Sequence, residues 1–430
     1  MQNLENLYDQ YIRGHRITTD SRALQKGDVF IALKGENFNG NNFALQAIEA
    51  GASVSVTDDE KYRNHPQCLW VPDTLRFLQE IASYHRHRLG IPILGITGTN
   101  GKTTTKELCH AVLSVKYKTF ATQGNFNNHI GVPLTLLSMD ESTQFGIVEM
   151  GANHPGEIKT LCDIADPDYG IITNVGQAHL EGFGSYENII ATKKQLYDHI
   201  RAKNGKLFVN AGDSLLLELS EGIERSTYGQ NGNVLKGEIK QSIPFLVYAL
   251  NTLKGDLYVR THLIGGYNFE NAMAASCLGI EMGIPALEIQ KAIESYQPSN
   301  LRSQLIKTSR NTIILDAYNA NPSSMKAALE NFREFRADNK IVVLGEMREL
   351  GENSTQAHEE VFNLTRNAGF SQIILVGDNF EHYGNSSNFI RHFRTTDDLL
   401  LRLQEQPIQD ACILVKGSRG NRLERIVEYL

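Results

Sequence analysis

The chain has 430 residues, of which 41% are hydrophobic and 21% charged, and its formal net charge is −7. This length and composition predict roughly two to four ordinary globular domains. The acidic balance and the lack of like-charge runs argue against nucleic acid as the main partner. The 5 cysteines include no Cys-x-x-Cys pair, and no secretory or membrane-spanning pattern is present. We therefore expect a cytoplasmic protein with reduced thiols and no membrane insertion.

The first part of the chain reads as a small α/β unit. A helix over Leu75–Arg88 is followed by Gly90 and Pro92, which are residues typical of a boundary. We therefore predict a first domain over residues 1–88. The elements predicted before that helix are a strand at Asp28–Leu33, a polar loop at Lys34–Asn42, a helix at Phe43–Ala50 and a strand at Ser53–Thr57.

The most informative segment is the glycine-rich turn that follows the apolar residues Ile91 to Ile96. Backbone N–H groups freed by glycines can converge on an oxyanion, and the N-terminus of the following helix adds positive potential. A lysine then reaches the outer phosphates and a threonine hydroxyl reaches Mg²⁺. The pattern predicts an ATP site, although Ile96 stands where the general pattern has glycine. A strand-to-helix turn with a chance Gly-Lys-Thr is the alternative. The predicted cradle comprises Gly98, Thr99, Asn100, Gly101, Lys102, Thr103 and Thr104.

Three strands in this region suit parallel βαβ winding, namely Ile93–Thr97, Phe145–Met150 and Tyr169–Thr173. Ligands in such sheets lie outside the carboxyl ends of the strands. Glu149 ends the second strand, and His179 follows the third. Glu149 is therefore a candidate Mg²⁺ ligand beside the cradle, and a carboxylate that caps a turn is the alternative.

The rest of the chain predicts the end of a central domain and a second doubly wound unit. A β-rich region at Gly229–Leu263 precedes a helix at Tyr267–Met282, and the pattern breaks near Asn300. We therefore expect an α/β protein of three domains: a small N-terminal domain, a central P-loop domain with a mainly parallel sheet over residues 89–300, and a Rossmann-like domain over residues 301–430. The C-terminal strands are predicted at Thr312–Asp316, Lys340–Leu344, Gln372–Val376 and Cys412–Lys416.

Several blocks, spread over nearly the whole chain, closely resemble the Mur ligase family. Those blocks are residues 98–106, 124–135, 149–153, 174–185, 316–325, 344–351 and 415–420. The resemblance implies an ATP-dependent ligase, and its C-terminal blocks are similar to those of members that add D-alanyl-D-alanine to UDP-N-acetylmuramoyl-tripeptide. In such members the UDP end binds the N-terminal domain and the dipeptide binds the C-terminal domain. The terminal carboxylate is phosphorylated by ATP, and the dipeptide amine attacks the acyl phosphate. The product is the pentapeptide precursor of peptidoglycan.

The resemblance also implies a set of catalytic and metal-binding residues. Two Mg²⁺ ions would be held by Thr103, Glu149, His179 and Lys193, and Lys193 would carry a CO₂-derived carbamate. Taken alone, Lys193 is typical of a solvated surface lysine, and Gln195 stands where the family often has an acidic residue. The catalytic residues implied are Lys102, His179, Lys193 and Arg302.

The remaining implied residues bind the three substrates. Asn268 and Asn271 lie three apart and would share a helix face, although helix-start caps are the alternative. Tyr267 and Glu346 depart from the family's usual histidine and aspartate. The implied ATP contacts beyond the cradle are Asn268, Asn271, Arg302 and Asp316. The implied UDP-substrate contacts are Ser21, Arg22, Lys34, Asn125, Asn127 and Asn128, although such residues also form ordinary turns. The implied dipeptide contacts are Asn319, Asn321, Pro322, Glu346, Arg348, Lys416 and Arg419.

Two other functions are compatible with the cradle alone. One is a sibling ligase that adds a single amino acid at an earlier step or adds glutamate to folate. The other is a nucleotide-gated binding protein that forms no covalent bond. The blocks at residues 316–325 and 344–351 disfavour the first, and the combination of Glu149, His179 and Lys193 disfavours the second. We expect the protein to be a monomer.

Overall fold

The computed structural model of the chain describes residues 4–252, 255–299, 301–384, 387 and 389–430. Its strands form sheets of four, nine and six strands, together with a two-stranded hairpin. The three larger sheets follow one another along the chain, which confirms the predicted α/β class with three successive units. The domain boundaries at residues 88/89 and 300/301 stay predictions, and residue 300 lies outside the described residues.

The N-terminal sheet is parallel, with the strand order Ile17–Thr18, Val29–Ile31, Val54–Thr57 and Cys68–Trp70. Helix Ala44–Glu49 contributes Ala47 to the small core on one face, where Phe30 is buried. On the other face the core includes residues from Leu4–Leu7, Tyr8–Ile12 and Thr74–Leu89. The segment predicted as a polar loop contains a hairpin of Lys34–Gly35 with Phe38–Asn39 and a 3₁₀ turn at Gly40–Phe43.

Helix Thr74–Leu89 connects the N-terminal unit to the central domain. The side chain of Asp73 accepts a hydrogen bond from Arg76 N at 2.9 Å, which caps the helix start. Gly90 ends the helix in a left-handed conformation, with φ 61°. The buried side chain of Arg86 donates to the Asp168 carboxylate at 2.8 Å, so the helix is fixed to the central domain.

The central sheet is mainly parallel. In the strand order given below, the first seven strands run parallel to one another, and the eighth pairs antiparallel with both the seventh and the ninth. Parallel pairing brings the carboxyl ends of the strands that carry the candidate site to one edge of the sheet. The strand order is Thr119–Ala121, Phe145–Glu149, Ile93–Thr97, Tyr169–Ile172, Lys206–Asn210, Arg225–Gly229, Leu235–Gln241, Val247–Thr252 and Gly255–Arg260.

Helices cover both faces of this sheet and bury a separate apolar core on each. Cys109 and Cys277 lie in one core and Cys162 lies in the other, all as free thiols. The helices of this part of the chain are Lys102–Leu113, Gly131–Leu137, Glu157–Ala165, Leu180–Phe183, Tyr186–Ala202, Ser214–Leu219, Phe269–Glu281 and Ala286–Ser295.

The C-terminal sheet is also doubly wound. Its first strand is antiparallel and the following five are parallel. The predicted strand at Gln372–Val376 is confirmed to the residue. The strand order is Gln304–Lys307, Asn311–Asp316, Ala411–Lys416, Lys340–Gly345, Gln372–Val376 and Ile390–Phe393, and the helices are Pro322–Arg333, Ser354–Arg366 and Thr396–Glu405.

Over the part of the chain that the structure describes, no helix is both long enough and apolar enough to cross a bilayer.

Candidate active site

The predicted phosphate cradle lies between the strand Ile93–Thr97 and the helix Lys102–Leu113. Gly101 caps this helix in a left-handed conformation, with φ 80°. A Cβ added at Gly101 would lie 2.5 Å from Asn271 Oδ1. Because a side chain would both strain the backbone and collide with Asn271, glycine is required here. The cradle is thus fixed by a residue that is distant in sequence.

Two lysine side chains converge on one carbonyl oxygen of the cradle. Lys102 Nζ donates to Gly98 O at 2.7 Å and to Thr99 O at 3.0 Å, and Lys193 Nζ donates to Gly98 O at 3.1 Å. Lys193 is only 4% exposed, so the alternative of a solvated surface lysine is wrong. Burial, and to a smaller extent the charge of Lys102, lowers the pKa of Lys193 well below its usual value. Burial therefore shifts the protonation equilibrium of Lys193 toward the neutral amine.

The pKa of Lys102 is lowered to about 8, mainly by desolvation. The charge of Glu149 raises this pKa and the charge of Arg302 lowers it, and both effects are smaller than that of burial. An anion bound at the cradle would restore the charged form of Lys102, because opposite charges stabilise each other.

Thr103 and Glu149 form a buried pair of oxygen ligands beside the cradle. Thr103 Oγ1 donates to Glu149 Oε2 at 3.0 Å, and Asn127 Nδ2 donates to Glu149 Oε1 at 2.9 Å. Glu149 is 2% exposed. A hydroxyl and a carboxylate are oxygen donors of the kind that Mg²⁺ takes next to nucleotide phosphates. The residues present therefore fit a magnesium ion. No group of three or more His, Cys, Asp or Glu side chains suited to a metal occurs among the described residues.

His179 is in close contact with Glu349, which the sequence analysis did not single out. The contact joins His179 Nδ1 to the Glu349 carboxylate across the two domains, and it holds the pKa of Glu349 below its usual value. Both residues have left-handed backbones, with φ 53° at His179 and φ 63° at Glu349. Such conformations are uncommon outside glycine and are concentrated at functional sites. The available signal for Glu349 was its place just after a predicted strand, which is the rule that selected Glu149 and His179.

Asn268 and Asn271 belong to a buried hydrogen-bond network behind the cradle. Asn271 Nδ2 donates to Asn268 Oδ1 at 2.9 Å, and Thr105 Oγ1 donates to Asn271 Oδ1 at 3.0 Å. Asn268 also donates to Ile264 O at 2.9 Å, and its side chain makes no capping bond to the helix Phe269–Glu281. The two asparagines therefore share a face as predicted, and they brace the cradle.

Arg302 reaches the cavity from the C-terminal domain. Its guanidinium carbon lies 3.9 Å from the centre of the Tyr318 ring, and that of Arg419 lies 5.4 Å from the same centre. Arg302 Nε is buried without a hydrogen-bond partner. Buried donors are normally satisfied, so the site has an unused donor that suits an anion.

Asp316 and Lys416, which were predicted to contact different substrates, form one ion pair. Lys416 Nζ lies 2.5 Å from Asp316 Oδ2, and Ser303 N donates to Asp316 Oδ1 at 3.2 Å. Lys416 is 2% exposed. Its charge is therefore balanced within the C-terminal domain.

Hydrogen bonds also join the cradle to the start of a C-terminal helix. Asn321 Nδ2 donates to Asn100 Oδ1 at 2.9 Å, and Asn100 Nδ2 donates to Ser323 Oγ at 2.8 Å. Asn321 is also the N-cap of the helix Pro322–Arg333. One side chain thus couples the helix start to the cradle.

These groups surround one cavity of about 670 Å³ between the central and C-terminal domains. Most of the predicted site residues line it: Gly98, Thr99, Asn100, Gly101, Lys102, Thr103, Thr104, Asn125, Asn127, Asn128, Glu149, His179, Lys193, Asn268, Asn271, Arg302, Asp316, Asn319, Asn321 and Lys416. The predicted residues outside its lining are Ser21, Arg22, Lys34, Pro322, Glu346, Arg348 and Arg419.

The three N-terminal candidates lie on a different surface. Ser21 and Arg22 form a 3₁₀ turn, in which Arg22 pairs with Asp20 at 2.8 Å. Lys34 pairs with Asp58 at 2.9 Å. Their assignment to the UDP substrate stays a prediction.

The chain combines a three-domain α/β fold with a phosphate cradle and a cavity between two domains. These features are typical of a nucleotide-dependent enzyme whose active site is shared by two domains. Three family models match in order: "Mur ligase family, catalytic domain" over residues 13–86, "Mur ligase middle domain" over residues 96–279, and "Mur ligase, glutamate ligase domain" over residues 301–419. The chain belongs to the Mur ligase family.

Similar proteins support this assignment over nearly the full length. UDP-N-acetylmuramoyl-tripeptide–D-alanyl-D-alanine ligase of Bacillus subtilis (strain 168) is 35% identical, with 97% of this chain and 93% of the relative covered. MurF from Acinetobacter baumannii has a TM-score of 0.86 at 32% identity, covering 96% of this chain and 92% of that one. MurF ligase from Thermotoga maritima, in complex with ADP, has a TM-score of 0.84 at 26% identity, covering 100% and 98%.

Proposed function

We propose that the chain is an ATP-dependent ligase that joins D-alanyl-D-alanine to the terminal carboxylate of UDP-N-acetylmuramoyl-tripeptide. The observation that carries this proposal is that Lys102, Lys193, the Thr103–Glu149 pair and Arg302 of the C-terminal domain all line one cavity. The full-length similarity to ligases with this activity gives the substrate class.

The chemistry explains why cationic groups gather here. A carboxylate is a poor electrophile, and transfer of the γ-phosphoryl group of ATP converts it into an acyl phosphate with a good leaving group. Both reactants are anions, so their repulsion must be neutralised where they meet. Lys102 lies at the cradle, where the phosphates would bind, and Arg302 approaches from the opposite domain with an unpartnered buried Nε. The amine then attacks the acyl carbon, and phosphate leaves.

Magnesium and the modified lysine complete the set of charges. Thr103 and Glu149 would hold one Mg²⁺, and His179 with a carbamate on Lys193 would hold a second. Bound magnesium supplies positive charge that screens the phosphates. The neutral Lys193 amine is the form that adds CO₂ and releases a proton, which gives an anionic carbamate. Burial of Lys193 beside Lys102 lowers the pKa of the amine and so shifts it toward this neutral, reactive form.

The three substrates are assigned to different parts of the molecule. ATP lies on the cradle, with its adenosine end near Asn268, Asn271 and Asp316. The UDP end of the tripeptide substrate extends toward Ser21 and Arg22. The dipeptide lies along the C-terminal wall of the cavity, near Asn319 and Asn321, which come from the segment that follows the strand Asn311–Asp316.

The proposal is tested by measuring ADP release from the purified protein with ATP, Mg²⁺ and UDP-N-acetylmuramoyl-tripeptide, using tripeptides that end in lysine or diaminopimelate. We expect release to require D-alanyl-D-alanine and to yield the pentapeptide by mass spectrometry. Stimulation by D-glutamate, L-lysine, diaminopimelate or L-glutamate instead would indicate a sibling ligase. Nucleotide binding or hydrolysis without a ligated product would indicate a nucleotide-gated binding protein.

Two finer assignments stay predictions. We expect a monomer, which light scattering coupled to size-exclusion chromatography measures directly. We also expect the reaction to take place in the cytoplasm, where ATP and nucleotide-linked precursors are available.

A further inference from the structure

We propose that Glu349 anchors the ammonium group of the incoming dipeptide at the position from which its nitrogen attacks. This inference rests on the proposed ligase function. It assigns a substrate contact to a residue that the sequence analysis did not select.

The charges on the C-terminal wall of the cavity single out Glu349. Two carboxylates of that wall line the cavity within the described residues, namely Asp316 and Glu349. Asp316 is balanced by Lys416 at 2.5 Å. Glu349 instead contacts His179 of the opposite wall. Of these two carboxylates, Asp316 is thus paired with a lysine, and Glu349 is paired with a histidine instead.

An amine substrate needs such a carboxylate in this cavity. A peptide α-amino group has a pKa of about 8, so much of the dipeptide arrives as an ammonium ion. Lys102 and Arg302 also line the cavity and repel that ion. A carboxylate attracts it and directs the nitrogen, because hydrogen bonds between oppositely charged groups are strong and oriented.

The location of Glu349 suits an acceptor placed between the two domains. Glu349 follows the strand Lys340–Gly345, and its side chain reaches His179, which follows the strand Tyr169–Ile172 at the cradle edge. The contact places this carboxylate between the central and C-terminal walls of the cavity, to which the proposed function assigns acyl activation and dipeptide binding.

The turn that carries Glu349 is held firmly. Met347 N donates to His358 Nε2 at 2.9 Å, and Arg348 N donates to Ser418 Oγ at 3.2 Å. These bonds support the left-handed backbone of Glu349, with φ 63°. Strain of this kind persists only where the surroundings impose it, so the carboxylate is positioned before the substrate binds.

The reaction step balances without any further reagent. The anchored ammonium releases one proton to solvent, and the nitrogen lone pair forms the N–C bond. The bond between the acyl carbon and the phosphate oxygen breaks, and the second proton of the nitrogen leaves with phosphate. The net change is acyl phosphate plus ammonium to amide, hydrogen phosphate and one proton.

The test compares Glu349→Gln with Glu352→Gln, a matched change at an exposed residue outside the cavity lining. For Glu349→Gln we expect the KM for D-alanyl-D-alanine to rise by roughly 10- to 100-fold, as for the loss of a charge-assisted hydrogen bond. Glu352→Gln keeps the wild-type KM. Hydroxylamine, a small neutral nucleophile, is used in place of the dipeptide to trap the acyl phosphate as a hydroxamate. We expect hydroxamate formation by Glu349→Gln to match that of the wild type.

Each other outcome decides against the inference. An unchanged dipeptide KM in Glu349→Gln shows that the carboxylate does not hold the ammonium. An equal loss of hydroxamate formation shows that Glu349 acts in acyl phosphate formation or in folding of the site. If the wild type forms neither hydroxamate nor pentapeptide, the proposed function itself fails, which is a separate result.

Discussion

The two walls of the cavity each bury a lysine, but the two lysines have different partners: a carboxylate in one wall and a backbone carbonyl in the other. In the C-terminal wall, Lys416 is 2% exposed and lies 2.5 Å from the Asp316 carboxylate. In the central wall, Lys193 is 4% exposed, donates to Gly98 O and faces the charge of Lys102. A buried ammonium is costly unless it is paired. The Asp316 carboxylate supplies such a partner for Lys416, whereas burial and the charge of Lys102 lower the pKa of Lys193. The comparison separates a lysine that balances charge from one prepared for chemical modification.

The strongest test of this contrast is Lys193→Ala. We expect ligase activity to fall by roughly 10³-fold, comparable to the loss of a key electrostatic group in an active site. Added formate or acetate should restore part of the activity, because a small carboxylate can replace the carbamate. The measurement is ADP release with and without the added acid, together with intact mass spectrometry of the wild type.

Lys194→Ala is the matched control, since the neighbouring lysine points away and pairs with Asp198. It should keep activity close to that of the wild type. Full activity in Lys193→Ala, or an unmodified Lys193 together with no recovery in carboxylate, would contradict the proposed modification.

The second test acts on the C-terminal wall. Asp316→Asn leaves the Lys416 ammonium buried without its counter-charge, so we expect the free energy of unfolding to fall by about 3 kcal/mol. The measurement is urea denaturation followed by circular dichroism. The double variant Asp316→Asn with Lys416→Met removes the charge and keeps an apolar chain, so it should recover much of the loss. If the single variant is as stable as the wild type, the Asp316 carboxylate does not offset the cost of burying the Lys416 ammonium.

The third test concerns the glycine of the central wall. Gly101→Ala adds a Cβ 2.5 Å from Asn271 Oδ1 on a backbone with φ 80°. Strain of about 1–3 kcal/mol at the cradle should weaken ADP binding by roughly 10- to 100-fold, as measured by calorimetry. Gly124→Ala is the matched control, with φ 55° and no atom within 4 Å of the added Cβ. Equal effects of the two changes would show that the clash with Asn271 does not matter.

The sequence predicted the central wall better than the C-terminal wall for a physical reason. The cradle is contiguous, because its glycines, Lys102 and Thr103 act through one strand, one turn and one helix start. The Asp316–Lys416 pair joins residues 100 positions apart, so it depends on strand order that no local pattern contains. The contact of His179 with Glu349 likewise requires two domains to meet.

Local patterns also failed to separate Lys193 from Lys194. Both lie on the helix Tyr186–Ala202, whose other residues include many polar side chains. Only packing of the helix against the cradle turns the first inward, and the second pairs with Asp198 on the helix surface. The strand Cys68–Trp70 was also missed, because only 3 residues carry its pattern.

The smallest expected effect tests the support of the Glu349 turn. His358 is fully buried, its Nε2 accepts from Met347 N, and its Nδ1 donates to Ser354 O at 2.7 Å. Burial lowers the pKa of His358, although the Ser354 bond and the charge of Glu346 act in the opposite direction. The unfolded chain therefore binds the proton more tightly, so stability falls as pH drops below about 6.5.

His358→Gln keeps an acceptor for Met347 N and removes this titration. Between about pH 7.5 and about pH 5.5 the wild type should lose more unfolding free energy than the variant, by at most ~1.4 kcal/mol for each pH unit below the unfolded-state pKa. His382→Gln is the control, because that histidine is exposed, and it should keep the wild-type pH slope. If the wild type and His358→Gln gave parallel pH curves, the turn that carries Glu349 would not depend on a neutral His358. The pre-positioning of Glu349 would then depend on Ser418 and the other bonds of the turn.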